Sequence, residues 1–123
     1  MTTSRIALGK TGEDLACQEL ERRRYVIVAR RYRSRGGELD IIARDGPTLV
    51  FVEVKARHGR EFGDAVEAVT AFKRRRIGRL AMDYVARHHL TNSPCRFDVV
   101  SIHFEEGRPP TIEVYQNAFD LSS

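Results

Sequence analysis

The chain has 123 residues, of which 41% are hydrophobic and 31% are charged. This length suits a single domain spanning residues 1–123, and the composition is typical of a soluble globular protein. No apolar run approaches the roughly 20 residues that a membrane-spanning helix needs, and residues 1–10 lack the apolar core of a signal peptide. We therefore expect a cytoplasmic protein without a membrane partner.

The net charge and the cysteine content give further indications of the class of protein. The 21 Lys and Arg residues outnumber the 17 Asp and Glu residues, which gives a net charge of +4. Most of the basic residues are arginines, whose planar guanidinium can bind two phosphate oxygens, so the surplus is a weak indication of nucleic-acid binding. Cys17 and Cys95 lack the spacing of a zinc motif or a disulfide framework, and we expect two buried thiols.

The first half of the chain predicts one helix and three strands. Residues 1–8 are expected to be flexible. Apolar spacing predicts a helix over residues 11–23, with Thr11 and Asp14 as a capping box at its start. Side chains that favour β structure predict three strands, separated by glycine-containing breaks: residues 25–33, 38–44 and 49–56.

The second half predicts a long helix followed by two strands. Residues 65–89 have a mainly helical pattern, in one or two pieces, with Thr70 as the N-cap of the longer piece. Its predicted buried face comprises Phe72, Ile77, Leu80, Ala81, Tyr84 and Val85. Strands are predicted over residues 96–104 and 111–116. The order α-β-β-β-α-β-β predicts an α/β fold with a mixed sheet flanked by helices, since the strand after the long helix can return parallel.

Acidic and basic residues share one region of the second and third strands. If Gly46-Pro47 is a two-residue hairpin loop, then Asp40 faces Glu53 and Glu38 faces Lys55. Because side chains alternate along strands, all four would lie on one face. The strands are otherwise apolar, so ionised carboxylates there lose hydration and repel each other unless a partner compensates. A divalent cation is one such partner, and Lys55 could then orient a water or neutralise phosphoryl charge. An internal ion pair of Lys55 with Glu53 or Glu38 is the alternative.

Two further charged residues occupy inward positions of the predicted helices. Glu13 shares the apolar stripe of the first helix and could point towards the carboxylates, or could simply favour the helix dipole. Lys73 precedes Ile77 by four residues, so it lies on the inward side of the long helix. Its stem could equally lie along the core with the ammonium group in water.

Arginines cluster in four places along the chain, and each cluster taken alone is most often a solvated surface. One cluster directly follows Lys55 and borders the predicted site. Together the clusters favour a surface for the phosphate backbone of nucleic acid, read by shape and charge rather than by base sequence. The residues that we expect to contact it are Arg35, Arg57, Arg60, Arg74 and Arg75.

Five ordered motifs give a more specific indication, because together they resemble the YraN-type family of small, uncharacterised bacterial proteins. They cover roughly residues 9–119. The motifs are Gly9-x-x-Gly12-Glu13-x-x-Ala16, Gly37-Glu38-Leu39-Asp40-Ile41-Ile42-Ala43, Val50-Phe51-Val52-Glu53-Val54-Lys55-x-Arg57, Val69-Thr70-x-x-Lys73 and Arg96-Phe97-Asp98-Val99-Val100. That family is similar to the restriction-endonuclease-like superfamily and to archaeal Holliday-junction resolvases.

The resemblance implies a restriction-endonuclease-like α-β-β-β-α-β core and a metal-dependent nuclease. Asp40 and Glu53 would bind Mg²⁺ or Mn²⁺, and Lys55 would position or activate the attacking water. Glu13 matches an acid of the first helix that lies near the metal in resolvase relatives, so it is a third candidate ligand. Lys73 matches a basic position on the second core helix and joins the candidate catalytic residues. By analogy with resolvases, a homodimer is also an open alternative.

Three readings of the function remain at this point. The first is an endonuclease that hydrolyses phosphodiester bonds in nucleic acid, with DNA as the expected partner and branched DNA among its candidate substrates. The second is a non-catalytic module that binds nucleic acid or protein on a nuclease scaffold. The third is a structural adaptor in which the acidic residues belong to an internal ion-pair network. Only the first two predict binding that weakens steeply with salt, and only the first predicts metal-dependent strand cuts.

Overall fold

The computed structural model describes residues 5–59 and 69–120, with the backbone alone for residues 5–10. The elements are α1 (Arg5–Arg22), β1 (Val26–Ser34), β2 (Gly37–Asp45), β3 (Thr48–His58), α2 (Ala71–Arg87), β4 (Cys95–Phe104) and β5 (Thr111–Phe119). Their order confirms the predicted α-β-β-β-α-β-β arrangement. None of the helices in this described part of the chain is long and apolar enough to cross a membrane.

The five strands form one mixed sheet in the order β1-β2-β3-β4-β5. Neighbouring strands pair antiparallel except β3 and β4, which are parallel. A parallel connection needs a crossover, and α2 lies within the segment that joins these two strands. The predicted mixed sheet is therefore confirmed.

The β2–β3 hairpin has the predicted register. Asp45 pairs with Thr48 across the turn, and Gly46 adopts a positive φ of 59° there. The pairing continues to Ile41 opposite Val52, which is the last β2–β3 pair in the described ranges. Beyond that point, β2 continues against β1 and β3 continues against β4. The two central strands consequently part at Asp40 and Glu53.

Apolar side chains cover both faces of the sheet, as the continuous hydrophobic runs of β2 and β3 predict. One cluster lies beneath α2 and contains Phe51, Leu80, Tyr84 and Phe97, among others. The other lies beneath α1 and contains Leu20, Ile41, Val50, Val100 and Ile102, among others. The central strands are thus enclosed between two helices, and polar groups at their ends are partly removed from water.

Helix α2 begins as predicted, but its apolar face is shorter than expected. The Thr70 hydroxyl accepts a hydrogen bond from the Lys73 backbone N–H at 3.3 Å, which confirms Thr70 as the N-cap. The prediction that Phe72 is buried is wrong, since this side chain is 62% exposed. Phe72 lies in the first turn of α2, before the helix reaches the apolar cluster that starts with Ile77. Of the predicted helical segment, residues 65–68 lie outside the described residues.

Three other predictions need correction. Helix α1 begins at Arg5, so part of the expected flexible start is helical, and residues 1–4 lie outside the described residues. Thr11 and Asp14 are consequently inside the helix, where a capping box cannot form, because the helical N–H groups there already have carbonyl partners. Cys17 is buried as expected, but Cys95 is exposed because β4 begins there, beyond the cover of the helices.

A buried aspartate links β4 to β5 and to Tyr25, the residue before β1. Asp98 on β4 is fully buried. Its carboxylate accepts hydrogen bonds from Arg96 Nε at 2.9 Å, the Asn117 backbone N–H at 2.9 Å and the Tyr25 hydroxyl at 3.1 Å. Arg96 also pairs with Asp45 at 3.0 Å. These bonds compensate the lost hydration of Asp98 and fix β5 and the start of β1 against β4.

We expect Asp98→Asn to lower the free energy of unfolding by about 3 kcal/mol, because it leaves the Arg96 guanidinium without its buried counter-charge. Urea unfolding would measure the loss. Glu106→Gln makes the same chemical change at an exposed turn residue and should stay within about 0.5 kcal/mol of wild type. Equal stability of the two variants would show that the Asp98 network contributes nothing.

Candidate active site

The gap between β2 and β3 brings two carboxyl groups together. Because the pairing ends at Ile41 and Val52, the backbone N–H of Val54 faces the gap and needs another acceptor. Asp40 provides it, since its Oδ2 accepts a hydrogen bond from this N–H at 2.8 Å. The Asp40 side chain therefore bridges the strands at the point where the backbone ladder stops.

Burial and a neighbouring acid control the ionisation of Asp40. The pKa of Asp40 is raised from its ordinary 3.8 to about 8, first by burial, then by the charge of Glu53 and by a hydrogen bond between the two carboxyl groups. The hydrogen bond from Val54 opposes this shift because it favours the ionised form. Asp40 consequently keeps its proton near neutral pH.

Two lysines lie beside the carboxyl pair. Lys55 Nζ is 3.5 Å from Glu53 Oε1, and the side chains of these residues are only 20% and 14% exposed. Lys73 lies in the first turn of α2. A side-chain hydrogen bond with Lys55 lowers the pKa of Lys73 most, and the positive charge of Lys55 lowers it further. The structure thus brings Asp40, Glu53, Lys55 and Lys73 into one partly buried cluster.

Two other acidic residues, Glu13 and Glu38, lie at the border of the Asp40–Glu53–Lys55–Lys73 cluster. Glu13 on α1 is close enough for its charge to contribute to the raised pKa of Asp40. Its own carboxylate accepts from Arg31 Nε at 3.1 Å, so Arg31 already compensates this charge. Glu38 instead pairs with Arg33 at 2.9 Å, away from Lys55. In residues 5–59 and 69–120, no three acidic, histidine or cysteine side chains stand close enough together to hold a metal ion.

The donor set of the cluster consists of the Asp40 and Glu53 carboxyl oxygens. Such hard oxygen ligands suit Mg²⁺ or Mn²⁺, which commonly bind one or two protein carboxylates and complete their shell with water and substrate phosphate. Burial and the neighbouring Glu53 charge both disfavour the ionised form of Asp40, and a divalent cation would offset both effects. The residues therefore fit a divalent cation held by two protein side chains, with Glu13 as a nearby charge.

The predicted nucleic-acid contacts fall into two groups. Arg35 and Arg75 are exposed, while Arg57 is half-buried on β3 beyond Lys55. Arg74 is held by the protein, since its Nε donates to the Val69 carbonyl at 2.9 Å and its guanidinium lies 5.7 Å from the centre of the Phe119 ring. Arg60 lies outside the described residues.

Sequence reasoning did not find the roles of Arg31 and Arg76. Arg31 adopts a positive φ of 52° in β1, and this irregular backbone accompanies its ion pair with Glu13. Arg76 follows Lys73 by one turn of α2, and its charge contributes to the lowered pKa of Lys73. A non-glycine residue with positive φ leaves no mark in the sequence pattern, so only the structure could reveal the Arg31 contact.

We expect Asp40→Asn to remove a pH dependence of stability in EDTA. Folded Asp40 keeps its proton up to about pH 8, whereas in the unfolded chain its ordinary pKa is 3.8. The unfolded chain binds fewer protons between these values, so the free energy of unfolding falls as pH rises through the window and levels off above about pH 8. Thermal unfolding across this range should show the fall in wild type and a flatter profile in Asp40→Asn. A wild-type slope retained in Asp40→Asn would contradict the shift.

Comparison with known proteins finds similar proteins whose names give only their family. The model of the uncharacterised protein family UPF0102 matches residues 12–102. A UPF0102 protein of Geobacter metallireducens is 49% identical over 116 residues, which cover 94% of both chains. A UPF0102 protein of Pelotomaculum thermopropionicum is 43% identical over 120 residues, covering 97% of this chain and 100% of the relative. These names state no activity, so the chemistry has to be inferred from the site.

Proposed function

The chain belongs to the UPF0102 family, as its YraN-type motifs indicated, and we propose that it is a metal-dependent nuclease that hydrolyses phosphodiester bonds in nucleic acid. One observation carries the proposal. The partly buried Asp40–Glu53 carboxyl pair, with Lys55 and Lys73 beside it, lies where two central strands part. We propose DNA as the substrate, with branched DNA among the forms to be tested.

The metal would be held by Asp40 and Glu53. When bound, Mg²⁺ or Mn²⁺ would polarise the scissile phosphate and lower the pKa of a bound water. Asp40 has to lose its proton to become a ligand, so cation binding releases protons below about pH 8. Glu13 remains a candidate for an outer contact, because Arg31 already binds its carboxylate.

The lysines supply the chemistry that depends on the protein alone. Hydrolysis builds negative charge on the phosphoryl oxygens, and a fixed ammonium group in a partly dry site stabilises that charge more strongly than water does. Lys55 has Glu53 as its ion-pair partner, so its ammonium group is held beside the carboxyl pair. Its contact with Lys55 lowers the pKa of Lys73, so Lys73 loses its proton more readily than an ordinary lysine, and we assign it to contact with the substrate or the attacking water.

The surroundings of the site agree with a polyanionic partner. Arg57 lies on β3 beyond Lys55, and Arg35 and Arg75 are exposed on the turn before β2 and on α2. Backbone phosphates are bound through such residues, with affinity that falls steeply as salt concentration rises. A nucleic-acid substrate agrees with the cytoplasm as its place of action. Whether two copies act together, as a homodimer would, is best tested on a substrate with two equivalent strands.

The test is a cleavage assay on four-way-junction, flap, single-stranded and duplex DNA, with Mg²⁺ or Mn²⁺. We expect metal-dependent cuts by wild type, and a loss of at least about a hundredfold in Asp40→Asn and Glu53→Gln, because each substitution removes a metal ligand. Glu38→Gln is the matched control, since it changes an acid of the same strand that pairs with Arg33 outside the site.

The outcomes separate the nuclease from its rivals. Full activity in Asp40→Asn would refute the assignment of the site. Salt-sensitive binding without cuts on any substrate would favour a non-catalytic nucleic-acid-binding module. The Lys55–Glu53 ion pair is also what a purely structural network would contain, and in that case neither metal nor nucleic acid would bind.

The variant Lys55→Met should distinguish the role of Lys55 from the role of the metal ligands. We expect kcat to fall by about a hundredfold, because a charge that stabilises the transition state is lost, while Mn²⁺ affinity is retained. Calorimetric titration with Mn²⁺ and single-turnover cleavage would measure the two properties on the same protein. If kcat were unchanged, Lys55 would have no part in the chemistry.

A further inference from the structure

A second basic site lies between α2 and the β1–β2 turn. It is a pocket of about 410 Å³ lined by Ser34, Arg35, Gly36, Arg76, Arg79, Leu80, Asp83 and Arg87. Four of these residues are arginines, and one is acidic. The volume is of the size that small ligands occupy in proteins, and the excess of positive charge specifies an anion.

Asp83, the single acidic residue of the pocket, is bound by neighbouring side chains. The Asp83 carboxylate accepts hydrogen bonds from the Tyr32 and Ser34 hydroxyls, each at 2.8 Å, and pairs with Arg87 at 3.2 Å. The Ser34 and Tyr32 hydrogen bonds lower the pKa of Asp83, so it stays ionised and keeps Arg87 as its partner. Asp83 therefore ties the pocket together and leaves the other arginines for a ligand.

The other arginines of the pocket have no acidic partner within residues 5–59 and 69–120. Arg35, Arg76 and Arg79 form no ion pair with any acid in the described ranges. Arg76 Nε is in addition buried without a hydrogen-bond partner there. A buried donor left unpaired costs free energy, so its presence indicates a ligand that accepts from it.

The backbone of the turn keeps Arg76 in place. Gly37 has a φ of 148°, and a β-carbon there would lie 3.4 Å from both Arg76 Cδ and Leu80 Cδ1. The turn thus packs directly on the Arg76 stem, and the guanidinium is restrained before any ligand arrives. A restrained guanidinium loses little freedom on binding, which strengthens its contact with phosphate oxygens.

The pocket adjoins the carboxyl pair along two elements. Arg76 follows Lys73 by one turn of α2, and Asp40 follows Gly37 by three residues of β2. At the usual rise of a strand, the turn is roughly 10 Å from Asp40. A polymer of phosphates that passes the carboxyl pair can therefore also reach the pocket.

We propose that this arginine pocket binds a backbone phosphate of the nucleic-acid strand whose neighbouring phosphate is cut at Asp40 and Glu53. The proposal rests on the proposed nuclease function. The pocket fixes the strand on one side of the reacting group, so that the substrate must extend in that direction. Arg79 and Arg35 contact the phosphate from the rim, and Arg76 Nε donates from the buried wall.

The test measures binding of fluorescein-labelled single-stranded DNA in EDTA, where no cleavage occurs, as a function of NaCl concentration. We expect Arg79→Gln and Arg35→Gln each to weaken binding at least about fivefold and to reduce the slope of log affinity against log salt by about 0.7, the value for one phosphate contact. Both side chains are exposed, so folding should be unaffected. Arg76→Lys keeps the charge but removes the buried Nε, and should also weaken binding.

Arg22→Gln is the matched control. It removes the same charge from an exposed arginine at the end of α1, next to the opposite end of β1, where Arg23 still binds Glu19. We expect its affinity and salt slope to equal those of wild type. Equal losses of affinity in Arg22→Gln and Arg79→Gln would show that only the net charge of the protein matters, and would overturn the proposal.

Three further outcomes show whether the pocket fails alone, fails together with the nuclease, or binds a different ligand. Unchanged binding in the Arg79 and Arg35 variants, alongside metal-dependent cleavage by wild type, would overturn the pocket and leave the nuclease standing. A wild type that binds no DNA would overturn both. A second experiment is calorimetric titration with inorganic phosphate. If phosphate binding depends on Arg79 and DNA does not displace the phosphate, the ligand of the pocket is a free phosphate compound and not a nucleic-acid strand.

Discussion

The hydrogen bond from the Val54 N–H to the Asp40 carboxyl group is the contact on which the candidate site depends. It occupies the position where the β2–β3 ladder stops, and so lets two central strands part without leaving a backbone donor unsatisfied. The same carboxyl group touches Glu53 and, in our proposal, receives the metal. Stability of the gap and chemistry in the gap therefore depend on one side chain, and neither can be altered without the other.

The rest of the fold makes such a gap tolerable. Apolar clusters cover both faces of the sheet, and the Asp98 network links β4 to β5 and to Tyr25, the residue before β1. Two carboxyl groups held together in a partly dry place are costly, because burial disfavours the charged form and like charges repel. The enclosed sheet supplies stability that offsets this cost, and it holds the lysines beside the acids.

Local signals predicted most of the architecture, and tertiary contacts decided the remainder. The Asp45–Thr48 turn fixes the hairpin register as far as Ile41 and Val52, and Asp40 and Glu53 follow directly on the two strands, so their proximity could be predicted from the sequence. The end of the ladder at that point could not. The start of α1 could not, because Thr11 and Asp14 have the pattern of a capping box although they lie inside the helix. The partner of Glu13 was also out of reach, since Arg31 meets it only through an irregular strand backbone. The nucleic-acid contacts and the metal remain predictions.

The irregularities of the two outer strands have a consequence for association between molecules. The β1 register shifts between Ile27 and Ala29, and the β4–β5 register shifts between Phe97 and Val99, where Asn117 adopts a positive φ of 51°. Bulged and charged edges are poor templates for a strand from another chain, because their N–H and C=O groups no longer form a flat, regular row. The bulges thereby disfavour the addition of a strand from another molecule at these positions of the two edges.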